Sequence, residues 1–143
     1  MYPLTQTCVF SRQLNAVAAG QTDQDGAVLD MLGFDLIAGV AALGAFTDAG
    51  VAALELRGSP NANGSASVLE ATTATMVGAT SSNKLLILEA VRPANRFVFF
   101  RVKRSVQNIA IDAVNAIQAR PRDTKVDIVA SATVLNQTTA FIG

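Results

Sequence analysis

The chain has 143 residues, of which 50% are apolar and 15% are charged, and its formal net charge is zero. This length suits one domain, and the apolar fraction excludes intrinsic disorder. The sequence contains no histidine and a single cysteine, Cys8, which excludes Ser-His-Asp and Cys-His catalytic sites, histidine-ligated zinc and a disulfide framework. We therefore expect a protein that is not an enzyme, needs no cofactor or metal, and has no small-molecule substrate.

The N-terminal residues 1–24 are predicted to form an extended arm, which buries little surface by itself. They lack the basic stretch and apolar core of a signal peptide. The longest apolar run, Leu36–Phe46, has 11 residues, whereas a membrane span needs about 20. We therefore expect synthesis in the cytoplasm and no membrane partner.

Two strands separated by a turn are predicted next. Apolar residues alternate with other residues from Phe34 to Val40, and Gly44 and residues 47–50 are typical of a turn. From Val51 to Arg57 the side chains alternate again, which predicts a half-buried strand. Its core face consists of Ala52, Leu54 and Leu56.

The middle of the chain predicts a loop followed by two further strands. Residues 58–65 are rich in turn formers, and a Thr-rich strand follows over residues 71–77. A second turn covers residues 80–83. Residues 84–91 are apolar on both faces, which is typical of a central strand of a sandwich.

Residues 96–104 form the segment from which we predict a partner contact. One face, with Val98, Phe100 and Val102, is expected in the core. The other face carries two phenylalanines and then two basic residues, and we expect it to lie under a neighbouring segment or subunit. Two arginines in the turn that follows residues 108–118 are added to this candidate contact. The candidate partner-interface residues are Phe97, Phe99, Arg101, Lys103, Arg120 and Arg122.

Residues 108–118 predict a last core strand, because Ile109, Ile111 and Ala113 alternate with other residues. A helix is the alternative, and the β-branched residues together with Asp112 in the would-be apolar stripe favour the strand. The polar, Thr-rich residues 126–143 are predicted to form a C-terminal arm.

The resulting prediction is an all-β protein with about seven or eight short strands. Residues 1–143 form a single domain, a β-sandwich or jelly-roll-like fold with a core over residues 25–125 and arms over residues 1–24 and 126–143.

Charge is distributed unevenly along the chain. Residues 1–91 contain eight acidic and three basic side chains, and residues 92–143 contain three acidic and eight basic ones. Either folding intermixes the two halves, or the protein has two oppositely charged faces suited to an oppositely charged lattice. A net charge of zero and a pI near 6.1 argue against nucleic acid as a partner.

Several short motifs follow one another over residues 33–125: Phe34, Thr47–Gly50, Asn83–Leu86, Arg92-Pro93 with Arg96-Phe97, Asn108–Ala113, Ala116–Gln118 and Pro121-Arg122. Their order resembles that in a family of small head decoration (cement) proteins of tailed bacteriophages. The resemblance implies a virion protein on the capsid exterior, made in the host cytoplasm. Its implied partners are the major capsid protein and further copies of itself, as a dimer or trimer.

Two other classes of function remain as alternatives. Another virion component, such as a head–tail connector, a tail protein or a fibre-base module, would make similar contacts elsewhere on the particle. A carbohydrate-binding sandwich is disfavoured, because such proteins use exposed Trp or Tyr platforms and this sequence has no Trp and one Tyr.

Overall fold

Two antiparallel β-sheets face each other in the computed structural model, which describes residues 4–119 and, at residues 5 and 6, the backbone alone. The all-β sandwich predicted from the sequence is confirmed. Its elements are α1 (Leu4–Thr7), β1 (Cys8–Leu14), β2 (Val17–Gly20), β3 (Gln24–Asp25), β4 (Leu29–Asp30), β5 (Leu36–Phe46), β6 (Val51–Ser59), β7 (Val68–Thr72), β8 (Met76–Val77), a short 3-10 helix (Ala79–Ser81), β9 (Leu85–Val91), β10 (Phe97–Ser105) and β11 (Ile109–Ala119).

The first sheet has the strand order β1-β11-β5-β9, with β2 paired to β11 beside β1. The second sheet is built on β10, which pairs with β3 and β4 along one edge and with β6 along the other. Strands β7 and β8 in turn pair with β6. The outermost strands on one side of the sandwich are therefore β9 in the first sheet and β7 with β8 in the second.

The core lies between the sheets and follows the alternation of the long strands. Phe100, Val98 and Val102 of β10 are almost fully buried, as the sequence predicts, and Leu54 and Leu56 of β6 lie beside them. The facing sheet contributes a set of aliphatic side chains, among them Ile37, Leu43, Ile109, Ile111 and Val114.

Residues 8–20 belong to the first sheet, although the sequence analysis assigned them to an arm. Cys8 pairs with Ala119, and the ladder between β1 and β11 continues to Leu14. Cys8 and Gln13 are buried. This pairing explains why a segment with a weak apolar pattern is ordered, because β11 supplies its backbone hydrogen-bond partners.

Strand β9 lies at an edge of its sheet, so the prediction of a central strand was wrong. It pairs with β5 alone among the described strands. Its even-numbered side chains face the core, with Leu86 buried, whereas Leu85, Ile87 and Val91 point outward and are exposed. Apolar residues on both faces therefore indicate an apolar outer surface here and not burial between two neighbours.

Strand β11 confirms the choice of strand over helix but departs from regular alternation. Its register against β5 shifts between Ile111 and Ala113, which is the signature of a β-bulge. Because the extra residue reverses the alternation, Val114 is buried while Asp112 is exposed.

Arg104 is a buried charged residue that joins the N-terminal strands to the core. Its guanidinium donates hydrogen bonds to the carbonyl oxygens of Thr22 at 2.8 Å, Ala18 at 3.0 Å and Ile109 at 2.7 Å. The side chain is held on the core face of β10, in the same alternation as Val102. Burial lowers the pKa of Arg104, and the nearby charge of Asp23 opposes that shift.

Candidate interaction surface

The second face of β10, predicted to contact a partner, is partly covered by the chain itself. Phe99 is buried, and Gly64 of the loop after β6 lies against its ring. A small depression of about 130 Å³ beside this ring is lined by Asp25, Val28 and Gly64, among others. The sequence analysis expected this face to lie under a neighbouring segment or subunit, and at Phe99 it is a segment of the same chain that covers it.

The charged residues of β10 form ion pairs within the chain. Arg101 makes a two-point contact with Asp25, at 2.5 and 2.8 Å, which raises the pKa of the guanidinium. Lys103 lies 3.7 Å from Glu55, and its side chain remains about half exposed. Phe97 is half-buried, with the Arg96 guanidinium 5.0 Å from its ring centroid. Contact of Phe97, Arg101 and Lys103 with a partner stays a prediction.

Arg120, Arg122 and the predicted C-terminal arm, residues 126–143, lie outside the described residues.

Among the described residues, three of the ion pairs join an acid of the first 91 residues to a base of the later part: Asp30 with Arg96, Asp25 with Arg101, and Glu55 with Lys103. Folding thus intermixes the two halves at these positions, in agreement with the first of the two charge hypotheses.

Asp30 and Arg96 form a second two-point pair, with distances of 2.8 and 2.7 Å. The hydrogen bonds from Arg96, together with one from the Leu32 backbone N–H, lower the pKa of Asp30 from 3.8 to about 2. A carboxylate whose pKa is lowered in the folded state stabilises the fold at pH values above its unfolded pKa, which is 3.8 here. That contribution is lost as the pH falls through about 2.

An NMR titration of the Asp30 carboxyl carbon is therefore expected to give a pKa of about 2. In the variant Arg96→Gln the pKa should move towards 3.8, because the charged donor is lost. The variant Arg101→Gln is the matched control and should leave the Asp30 titration unchanged, since Arg101 pairs with Asp25. A wild-type value near 3.8 would contradict the pairing.

Large apolar side chains are exposed along the side of the sandwich formed by β7, β8 and β9. We call this set the apolar side. It comprises Val68, Leu69, Val77, Leu85, Ile87 and Val91, each more than half exposed. Between β7 and the end of β9 lies a cleft of about 310 Å³ lined by Val68, Leu69 and Val91, among others. Clustered exposure of this kind is typical of an interaction surface, whereas single exposed apolar residues are not.

The outer face of the first sheet continues this surface. Ile87 of β9 pairs with Val40 of β5, whose side chain lies on the same outer face. Val40 in turn lines an open groove of about 650 Å³, together with Phe10 of β1 and Ile117 of β11. Apolar side chains therefore continue from the β9 edge to Val40 on the outer face of the first sheet, where Arg12 and Asn115 also line the groove.

No group of three or more acidic or cysteine side chains within residues 4–119 is placed to hold a metal ion. No helix in that same range is long and apolar enough to cross a membrane.

Neither a family model nor a curated protein matches the sequence. Among solved structures, the PBSX exported protein XepA is similar over 98% of this chain and 46% of that protein, with a TM-score of 0.56 and 18% identity. This chain thus spans less than half of XepA, and the likeness shows the fold. A structure of Bacillus endospore appendages, described as disulfide-linked pili, aligns with 80% of this chain and 89% of its own at 13% identity. Its TM-score of 0.45 is too low to establish a shared fold.

Proposed function

We propose that this chain is a non-enzymatic structural protein of a bacteriophage particle, and that it decorates and stabilises the capsid exterior. The observation that carries the proposal is the apolar side of the sandwich, where Leu85, Ile87 and Val91 are exposed together on one strand. A free monomer gains nothing from such a surface, whereas a protein built into a larger assembly buries it.

Two comparisons support a phage context for that surface. The motifs over residues 33–125 resemble those of tailed-phage head decoration proteins. The similar solved structure, the PBSX exported protein XepA, shares the fold over nearly the whole of this chain. The structural role and the site on the capsid exterior are inferred from the sequence resemblance.

A decoration protein binds at many copies, so each contact can be weak. Its partners in this proposal are the major capsid protein and further copies of the same chain. The apolar side supplies buried area, and the exposed charges of Lys84 and Glu89 beside it supply the polar rim of the contact. Linked copies on a repeating lattice then gain affinity through multivalency.

Purified protein added to phage heads that lack it is expected to bind until a fixed number of sites is filled and to raise the temperature at which the heads disrupt. Saturable binding to heads without any binding to tails supports decoration. If labelled protein instead binds to the tail or the neck of the particle, the chain has a connector, tail or fibre-base role. Failure to bind either part would contradict a virion function.

A further inference from the structure

Within residues 4–119, one edge of β9 has backbone groups without a partner, and the hydrogen bonds of the other edge show which groups these are. The Arg92 N–H donates to the Asp35 carbonyl at 2.6 Å, and the Leu43 N–H donates to the Lys84 carbonyl at 3.0 Å. In an antiparallel ladder, residues bonded to a given neighbour alternate along the strand, so residues 84, 86, 88, 90 and 92 face β5. The N–H and C=O groups of Leu85, Ile87, Glu89 and Val91 therefore point away from the sheet.

This edge lacks the protection that the described edges of the second sheet have. Strands β3 and β4 are two residues long and contain Asp25 and Asp30. The β7 edge is covered by the turn after β9, because the Glu70 carboxylate accepts hydrogen bonds from the backbone N–H groups of Ala94 and Asn95. Natural sheets block edges with short strands, charges, prolines or covering loops. Strand β9 has seven residues, no proline and a single charge, Glu89.

Two copies of this edge are complementary to each other. If β9 pairs antiparallel with β9 of a second copy about an axis through Ile87, the two Ile87 residues lie opposite each other. Leu85 then lies opposite Glu89 of the second copy, so the outward N–H and C=O groups of residues 85, 87 and 89 meet those of residues 89, 87 and 85. The two Glu89 carboxylates are four residues apart along the strands, about 13 Å, which exceeds the screening length of about 8 Å.

We propose that β9 pairs with β9 of a second copy in this register and extends the first sheet across a two-fold axis. The pairing joins the three apolar residues Leu85, Ile87 and Val91 of each copy into one outer surface. It also satisfies the outward backbone groups of residues 85, 87 and 89 in both copies. The inference rests on the part of the proposed function in which copies of this chain contact one another.

Amide hydrogen exchange of the full chain, resolved by residue with NMR, tests the pairing directly. The amides of Leu85, Ile87 and Glu89 are expected to become protected as protein concentration rises. The amides of Leu86 and Leu88, which face β5, should be protected at all concentrations. Loss of the concentration dependence, with fast exchange of the odd-numbered amides throughout, would overturn the proposal.

Sedimentation of variants tests the register. Ile87→Lys is expected to raise the dimer dissociation constant at least about tenfold, because two ammonium groups then face each other across the axis. Leu32→Lys, an exposed site in the loop after β4, is the matched control and should leave the dimer unchanged. Leu85→Lys places an ammonium group opposite Glu89 of the second copy and should weaken the dimer less than Leu85→Glu, which places two carboxylates there.

Two further outcomes separate the possible failures. A shortened chain, residues 1–125, is expected to dimerise like the full chain, and odd-numbered amides that lose protection only in this variant would show that the C-terminal segment covers the edge instead. A protein that stays monomeric and still binds phage heads overturns the β9 pairing but leaves the proposed function intact. A protein that dimerises through β9 but binds no phage particle overturns the proposed function and leaves the β9 pairing intact.

Discussion

Replacing Gly39 with valine is expected to lower the free energy of unfolding by about 3 kcal/mol, because the new side chain overfills the centre of the core. Gly39 lies on the core face of β5, and a Cβ atom at this position would overlap the edge of the Phe100 ring in the facing sheet. The ring is almost fully buried. It is packed between the sheets and has little room to move aside, so the strands themselves would have to separate.

Denaturant unfolding of Gly39→Val, compared with Ala45→Val on the exposed face of the same strand, measures this effect. The control adds the same β-branched side chain to β5 without a core contact, and its stability should change by less than about 0.5 kcal/mol. A double-mutant cycle of Gly39→Ala with Phe100→Leu should show a coupling of about 1 kcal/mol, because the smaller side chain frees the space. Equal stability of Gly39→Val and wild type would contradict the packing.

Replacing Arg104 with methionine is expected to cost about 2 to 4 kcal/mol of stability, although the new side chain has a similar length. Three backbone carbonyl groups, those of Ala18, Thr22 and Ile109, lose their donor in a buried environment. Lysine at this position keeps the charge but cannot reach three acceptors in a fork, so Arg104→Lys should also be destabilised.

Hydrogen exchange distinguishes this role from a general packing effect. Relative to wild type, Arg104→Met should accelerate amide exchange more in β2 than in β6. The reason is that the guanidinium binds the segment that contains Ala18 and Thr22. Lys103→Met is the neighbouring control, with an exposed side chain, and should change stability by less than about 1 kcal/mol. Uniform acceleration of exchange across both sheets would contradict the assignment.

Regular alternation made the core strands predictable. The face of β10 that contains Val98 and Phe100 was expected in the core and lies there, and Leu54 and Leu56 of β6 behave the same way. Arg104 falls on the same face of β10 as Val98 and Phe100, so the alternation itself predicts that its side chain points into the core. Burial was not expected, because an arginine is rarely buried without partners and two of its three partners, Ala18 and Thr22, lie far away along the chain.

Strand neighbours could not be read from the sequence. The apolar residues of β9 fit a central strand as well as an edge strand with an apolar outer face, and the choice depends on which strand pairs with it. The bulge in β11 is set by its pairing with β5, which no local pattern reveals. Residues 8–14 were assigned to an arm for the same reason, since their order comes from β11 at the other end of the domain.

The partner contact predicted on β10 stays a prediction, and the sequence analysis did not identify the apolar side. The residues chosen on β10 are largely occupied within the chain: Phe99 is covered by the loop at Gly64, and Arg101 is paired with Asp25. The apolar side became visible once β7 and β9 were placed at neighbouring edges. A run of apolar residues identifies a surface only after the fold shows which residues have no neighbour above them.

The most direct test is the amount of this protein in purified phage particles. Quantitative mass spectrometry of gradient-purified particles should find it in a fixed ratio to the major capsid protein, because decoration follows the repeat of the head lattice. The variant Ile87→Lys, which alters the apolar side, should lower that ratio. Complete absence from particles whose heads are otherwise intact would contradict the virion role from which the proposed function proceeds.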